Sequence, residues 1–327
     1  MLPLVLTMGE PAGIGGEIAL AAWRRRAEGI PVFALIDQPE RLARLGADVP
    51  VREIARPDEA AAVWPEALPV LRQDLPAPVV PGRPDPANAP AVIQSIERAV
   101  AWVQAGAASA VVTNPIQKQV LLAAGFRHPG HTEFLAALAG PGIVPVMMLA
   151  CPGLRVVPVT VHMALAQAIA TLDAKMILTA ARITVAALRR DFAIAAPRLA
   201  VAGLNPHAGE GGAFGREEIT LIAPCVASLR EEGIDAIGPL PPDTMFHGAA
   251  RARYDAALCM YHDQALIPIK TIDFERGVNV TLGLPFVRTS PDHGTALDLA
   301  GTGRASAESL IAALGLAAEM ARARTAR

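Results

Sequence analysis

Short β-branched runs alternate with longer helical stretches from one end of this chain to the other, which restricts it to an α/β fold of parallel strands joined by crossover helices. Strands are expected over residues 2–7, 32–36, 110–113, 144–149, 156–161, 199–204 and 256–261. Helices are expected over 88–104, 173–190, 216–231 and 306–322. In the first of these, Asn88 and Pro90 open a run with Val92, Ile96, Ala99, Val100 and Val103 at helical spacing. A length of 327 residues suffices for about two domains. With 52% hydrophobic and only 18% charged residues, disorder is excluded as the dominant state. The stretch 75–90 carries Pro76, Pro78, Pro81, Pro84, Pro86 and Pro90, and reads as an extended connection, either between domains or within one.

Charge removes further classes. Lys and Arg number 29 against 31 Asp and Glu, giving a net charge of −2, so the chain lacks the basic footprint of a nucleic-acid binder or a polybasic membrane patch. A mean hydropathy of +0.36 draws attention to the charge-free stretch 134–154. There Gly140-Pro141-Gly142, Pro145 and Pro152-Gly153 divide it into a short helix, a turn and a strand, so no membrane span is expected. Cys151, Cys225 and Cys259 form no Cys-x-x-Cys pair and suggest neither a disulfide framework nor a cysteine zinc site. With no secretion signal in Met1 to Glu10, a cytoplasmic location is expected.

Three of the seven histidines share a placement. His162, His207 and His262 each fall at or just beyond the carboxyl end of an expected strand, where open α/β sheets build ligand sites. Taken singly, each is a loop histidine bonded to backbone; taken together, they suggest a shared metal site, since neutral imidazole is a common ligand of zinc and similar metals. Only three lysines occur, Lys118, Lys175 and Lys270. Lys175 lies on an amphipathic helix, whereas Lys118 and Lys270 follow strand ends, either as ordinary surface lysines or facing a cleft. The turn from Gly9 to Glu17 leads from the first strand into a helix and would present N–H groups to an anion, or simply make a tight turn. It is neither Gly-x-Gly-x-x-Gly nor a Walker motif. Residues 292–303 are polar and glycine-containing, with no ligand that physical rules assign.

Five segments together resemble the 4-hydroxythreonine-4-phosphate dehydrogenase family of vitamin B6 synthesis. They are Gly9-Glu10-Pro11-Ala12-Gly13-Ile14-Gly15, Gly130-His131-Thr132-Glu133-Phe134, Gly203-Leu204-Asn205-Pro206-His207-Ala208-Gly209-Glu210, Tyr261-His262-Asp263-Gln264 and residues 278–303. The resemblance covers nearly the whole chain in order. It implies a two-domain α/β fold like that of isocitrate and isopropylmalate dehydrogenases, with a cleft between a cofactor-side domain (1–130 plus 290–327) and a metal, substrate and dimerisation domain (131–289).

The same resemblance implies a homodimer whose active site is shared between subunits. His162, His207 and His262 would be metal ligands, with His262 contributed by the other subunit, for Zn, Mg or Co. His131, Thr132, Lys270, Asn279 and Arg288 would contact substrate, and Lys270 or Asp243 would be the catalytic base, the choice between them left open. His293, Gly294 and Asp298 lie in a loop similar to one that holds the adenine end of NAD or NADP in the wider relatives. The implied reaction is NAD(P)-dependent oxidation of 4-phosphohydroxy-L-threonine followed by decarboxylation. Rival readings are a sister dehydrogenase of threonate or erythronate 4-phosphate, a metal-dependent hydrolase, and a non-catalytic α/β solute receptor.

Overall fold

The structure of the chain, a computed structural model, describes residues 2–326, which divide into two compact units. The first comprises the residues up to Pro145 together with Leu284–Ala326; the second is Val146–Gly283. Twelve strands are found among the described residues: β1 (Leu4–Leu6), β2 (Phe33–Asp37), β3 (Val51–Ile54), β4 (Leu68–Arg72), β5 (Val111–Val112), β6 (Val146–Cys151), β7 (Leu154–Pro158), β8 (Arg198–Ala202), β9 (Asp235–Leu240), β10 (Ala256–Cys259), β11 (Val278–Leu282) and β12 (Arg288–Pro291).

In the first unit the strand order is β3-β4-β2-β1-β5-β12, every pairing parallel. All residues of β1 and β2 are buried, which is why residues 4–6 and 33–36 read as unbroken apolar runs and not as alternations. Helix Ala89–Gln104 packs Ile96, Ala99 and Val100 onto this layer, in one cluster with Val5, Ala34 and Val111. Residues 131–145 and 284–289, read from sequence as part of the second domain, belong here because Phe134, Leu135, Leu284 and Phe286 enter that same cluster. The proline-rich stretch 75–90 also lies wholly within this unit and docks on the glycine turn, Gly82 N–H donating to Ala12 O at 2.8 Å. It is a loop, not a linker.

The second unit has the order β11-β6-β7-β10-β8-β9. Strands β7, β10, β8 and β9 are parallel neighbours, while β6 runs antiparallel to both β7 and β11. The wholly parallel sheet expected from the alternation is corrected here: Pro152-Gly153, with Gly153 at φ 82°, is too short for a crossover and closes a hairpin. Helix Ala174–Asp191 begins where Asp173 caps it, its Oδ1 accepting from Met176 N–H at 2.7 Å. Five strands lay outside the sequence expectation, namely β3, β4, β9, β11 and β12. No helix among the described residues is long and apolar enough to cross a membrane.

Candidate functional site

In the second unit, the four parallel strands deliver their carboxyl-end loops to one edge. His162 follows β7, His262 follows β10, His207 follows β8 and Asp243 follows β9. The imidazoles of His162 and His262 are 5.8 Å apart between ring centroids, and both line a cavity of about 240 Å³ with Thr160, Tyr261 and Asp263. His207 Nδ1 lies 4.0 Å from Asp243 Oδ2, and His262 Nδ1 lies 2.7 Å from Asp263 Oδ1. The geometry thus supplies two pairs, His162 with His262 and His207 with Asp243. Among the described residues no three His, Cys, Asp or Glu side chains gather closely enough to hold a metal ion. Imidazole nitrogen and carboxylate oxygen are nonetheless the donors that divalent zinc, cobalt or magnesium takes.

The loop that carries His207 is held in a costly shape. His207, Ala208 and Glu210 have φ of 50°, 51° and 43°, in the left-handed region that side chains disfavour. Glu218 enforces it. Its Oε1 accepts from the N–H groups of Leu204 and Asn205, both at 2.7 Å, and its Oε2 accepts from Asn205 Nδ2 at 3.0 Å. Burial pushes this carboxyl up, but the hydrogen bonds from Asn205 and Leu204 outweigh it and hold the group below the ordinary glutamate value. Gln264 ties the neighbouring loops together, accepting from Met260 N–H at 2.6 Å and donating to Gly203 O at 2.7 Å. Neither residue emerges from sequence reasoning as functional. Gln264 stood in the Tyr261-His262-Asp263-Gln264 motif, whereas Glu218 lies in a segment read only as helix.

Lys270 and Asn279 belong to the same unit. Lys270 lies on helix His262–Ile272, its Nζ 5.1 Å from the centroid of the Phe274 ring, and Asn279 is half-buried on β11 opposite Leu149 of β6.

The remaining expected substrate contacts, His131, Thr132 and Arg288, lie in the first unit. Arg288 opens β12, is only 3% exposed, and donates from Nη2 to Thr113 Oγ1 at 2.6 Å. Burial lowers its guanidinium to about 10, which still leaves it a cation at neutral pH. His131 starts helix His131–Ala139, with its Nε2 shielded from solvent and without a hydrogen-bond partner. Desolvation, then the charges of Arg288 and Lys118, hold this imidazole well below its ordinary value, so it is neutral.

The first unit also holds the expected cofactor residues. His293 Nδ1 approaches Gly294 O at 2.9 Å, while its Nε2 is solvent-shielded without a partner. Open space surrounds Gly294, and Asp298 is exposed. An unsatisfied buried nitrogen beside an open glycine suits a polar ligand such as a dinucleotide. The glycine turn is fixed to this loop. Ile14 N–H donates to Thr295 O at 3.1 Å, and Glu17 accepts from Gly301 and Gly303 N–H at 2.8 and 3.2 Å. At Gly9, with φ 69°, a Cβ would lie 2.6 Å from Asn114 Cβ, so the turn is tight for packing as well as conformation.

Comparison with known proteins agrees with this layout. Residues 32–317 match the family model described as pyridoxal phosphate biosynthetic protein PdxA. The chain belongs to the PdxA family. A relative from Bradyrhizobium diazoefficiens, named 4-hydroxythreonine-4-phosphate dehydrogenase, is 56% identical over 99% of this chain and 98% of its own. One from Methylorubrum populi with the same name is 58% identical over 98% and 94%. The crystal structure of 4-hydroxythreonine-4-phosphate dehydrogenase from Klebsiella pneumoniae superposes with a TM-score of 0.89 at 39% identity, covering 98% of each chain. The PdxA family thus accounts for the two-unit α/β architecture, and a family of dehydrogenases points to a nicotinamide cofactor.

Proposed function

We propose that this PdxA-family chain oxidises the secondary alcohol of 4-phosphohydroxy-L-threonine to 2-amino-3-oxo-4-phosphooxybutanoate, which loses CO₂ to give 3-amino-2-oxopropyl phosphate. The chain is a dehydrogenase of pyridoxal phosphate biosynthesis. The observation that carries the reading is full-length similarity at 56–58% identity to relatives bearing that name.

Within that reading, each set of residues has a task. The metal ligands would be His162 and His207 of one subunit and the partner's His262. A divalent cation held there would supply Lewis-acid activation of a secondary alcohol, and NAD or NADP, which His293, Gly294 and Asp298 would hold, would supply the hydride acceptor. Lys270 or Asp243 takes the hydroxyl proton as the C–H bond delivers its hydride. The new ketone is β to the carboxylate, so the electrons of the breaking C–C bond flow into it as CO₂ leaves. Lys270, as a cation, offsets the negative charge that then develops on oxygen. Arg288 and Asn279, with His131 and Thr132, hold the anionic ends of the substrate.

The test is absorbance at the nicotinamide band with 4-phosphohydroxythreonine, NAD or NADP, and added Zn, Co or Mg. Metal-dependent reduction of the nucleotide with release of CO₂ is expected. Turnover of threonate or erythronate 4-phosphate in preference, or product formation without nucleotide reduction, would overturn the assignment.

A further inference from the structure

Lys118 has no part in the roles given above, yet it is one of only three lysines in a chain that uses arginine for nearly every other cation. It opens helix Lys118–Ala123 in the first unit, and no hydrogen bond or ion pair engages it among the described residues. Its side chain runs to Gly130. A Cβ placed on Gly130 would lie 3.3 Å from Lys118 Cε and 3.5 Å from Nζ, with Glu133 Oε2 3.4 Å away from the same point. Gly130 is buried and has φ −176°, extended backbone that any residue adopts, so a larger residue there would meet the end of the lysine side chain and not a conformational barrier. The room it leaves is where the lysine stem lies.

Gly130 is also the N-cap of helix His131–Ala139, which has no side-chain cap; its first backbone bond is from Phe134 N–H to Gly130 O. The N–H groups of the first turn therefore point outward with the positive end of the helix dipole behind them. The unpartnered Nε2 of His131 stands at the same place. Arg288 and Lys118 both act electrostatically on that imidazole.

We propose that Lys118 is a substrate-binding residue whose ammonium contacts the phosphate of the substrate at the start of helix His131–Ala139, opposite the Arg288 guanidinium. Two cations match a group that carries close to two negative charges at neutral pH, where a carboxylate carries one. The bidentate geometry of arginine orients the group, and lysine adds a compact point charge. This inference rests on the phosphorylated-substrate reading of the preceding subsection.

A cross of variants and substrates tests it on the full-length enzyme. Lys118→Met and Lys118→Arg are compared with wild type on 4-phosphohydroxythreonine and on the same compound without its phosphate. Lys118→Met is expected to lower kcat/KM for the phosphorylated substrate by at least about tenfold, chiefly through KM, and to leave the other substrate within about twofold. Lys118→Arg should recover part of the loss. Equal losses on both substrates, or none on either, would overturn the proposal. Calorimetric titration with inorganic phosphate, metal-free and nucleotide-free, reads the same contact without turnover. Weaker phosphate binding by Lys118→Met supports the contact even if wild type fails to oxidise the proposed substrate, a failure that would refute only the preceding reading. Unchanged phosphate affinity would remove Lys118 from the site.

Discussion

Replacing Glu218 by glutamine isolates what holds the His207 loop. The side chain keeps its shape but loses its charge, and its amide nitrogen must face either the two backbone donors or the Asn205 amide. With the oxygen turned to Leu204 and Asn205 N–H, both now 2.7 Å from Oε1, two charge-assisted bonds become neutral ones, about 1 kcal/mol each. The third bond, from Asn205 Nδ2 at 3.0 Å, becomes donor against donor and costs about 1 kcal/mol more. The expected loss is therefore ~3 kcal/mol in urea unfolding at pH 7. Repacking cannot easily relieve it, because a Cβ on Gly209 would lie only 2.6 Å from Glu218 Oε2, so the carboxylate is closely enclosed.

The sign of the pH dependence is a second check. The folded-state value of Glu218 is lowered from 4.5, so below 4.5 the unfolded chain binds the proton first. The stabilisation is complete above 4.5 and is lost as pH falls through the folded value. The deficit of Glu218→Gln should thus shrink on acidification below 4.5. A loss under about 1 kcal/mol at pH 7, or a deficit constant from pH 7 to pH 3, would refute the view that this carboxylate enforces the strained loop.

Three further outcomes follow from the proposed site. His207→Ala should lose metal-dependent turnover and bound metal while keeping wild-type unfolding, since the exposed imidazole, 60% accessible, supports no core; metal analysis of the purified variant decides it. Lys270→Arg should lower kcat by at least about tenfold, because arginine neither gives up its proton nor fits a compact ammonium site; activity within twofold of wild type would make Lys270 a surface residue. If sites are shared, His162→Ala and His262→Ala homodimers should both be inactive, while their isolated heterodimer, with one intact site, regains about half of wild-type activity; a heterodimer as inactive as its parents would place all three ligands on one chain.

Much of this architecture was legible because strands buried on both faces announce themselves. β1 and β10 are wholly apolar, β2 and β8 apolar but for Asp37 and Arg198 at their ends, and the glycine turn, His207 and His262 follow β1, β8 and β10 at their carboxyl ends. The strands that escaped notice lack that signature. β4 (Leu68–Arg72) and β9 (Asp235–Leu240) contain proline, β3 (Val51–Ile54) has Arg52 and Glu53 exposed at a sheet edge, and β12 (Arg288–Pro291) is polar because it buries Arg288, Thr289 and Ser290. In that last case a buried guanidinium overrides the apolar pattern. Glu218 was hidden for a related reason, since a carboxylate whose value lies in backbone N–H groups fourteen and thirteen residues upstream leaves no periodic trace. Side chains that serve the core advertise it by spacing; side chains that serve a loop do not.

The distribution of charge then explains how a chain with net charge −2 handles an anionic substrate. Net charge governs long-range encounter, whereas affinity depends on what is desolvated at the contact. In the first unit Arg288 keeps its proton despite burial, and His131 is kept neutral by burial and by the charges of Arg288 and Lys118. A neutral imidazole there adds hydrogen-bonding capacity without a third positive charge to repel the other two. In the second unit the imidazoles of His162, His207 and His262 each lie beside a carboxylate or another imidazole, which suits proton handling and metal ligation. Under the proposed mechanism, substitutions of Arg288, His131 and Thr132 should act mainly on KM, and those of His162, His207 and His262 mainly on kcat.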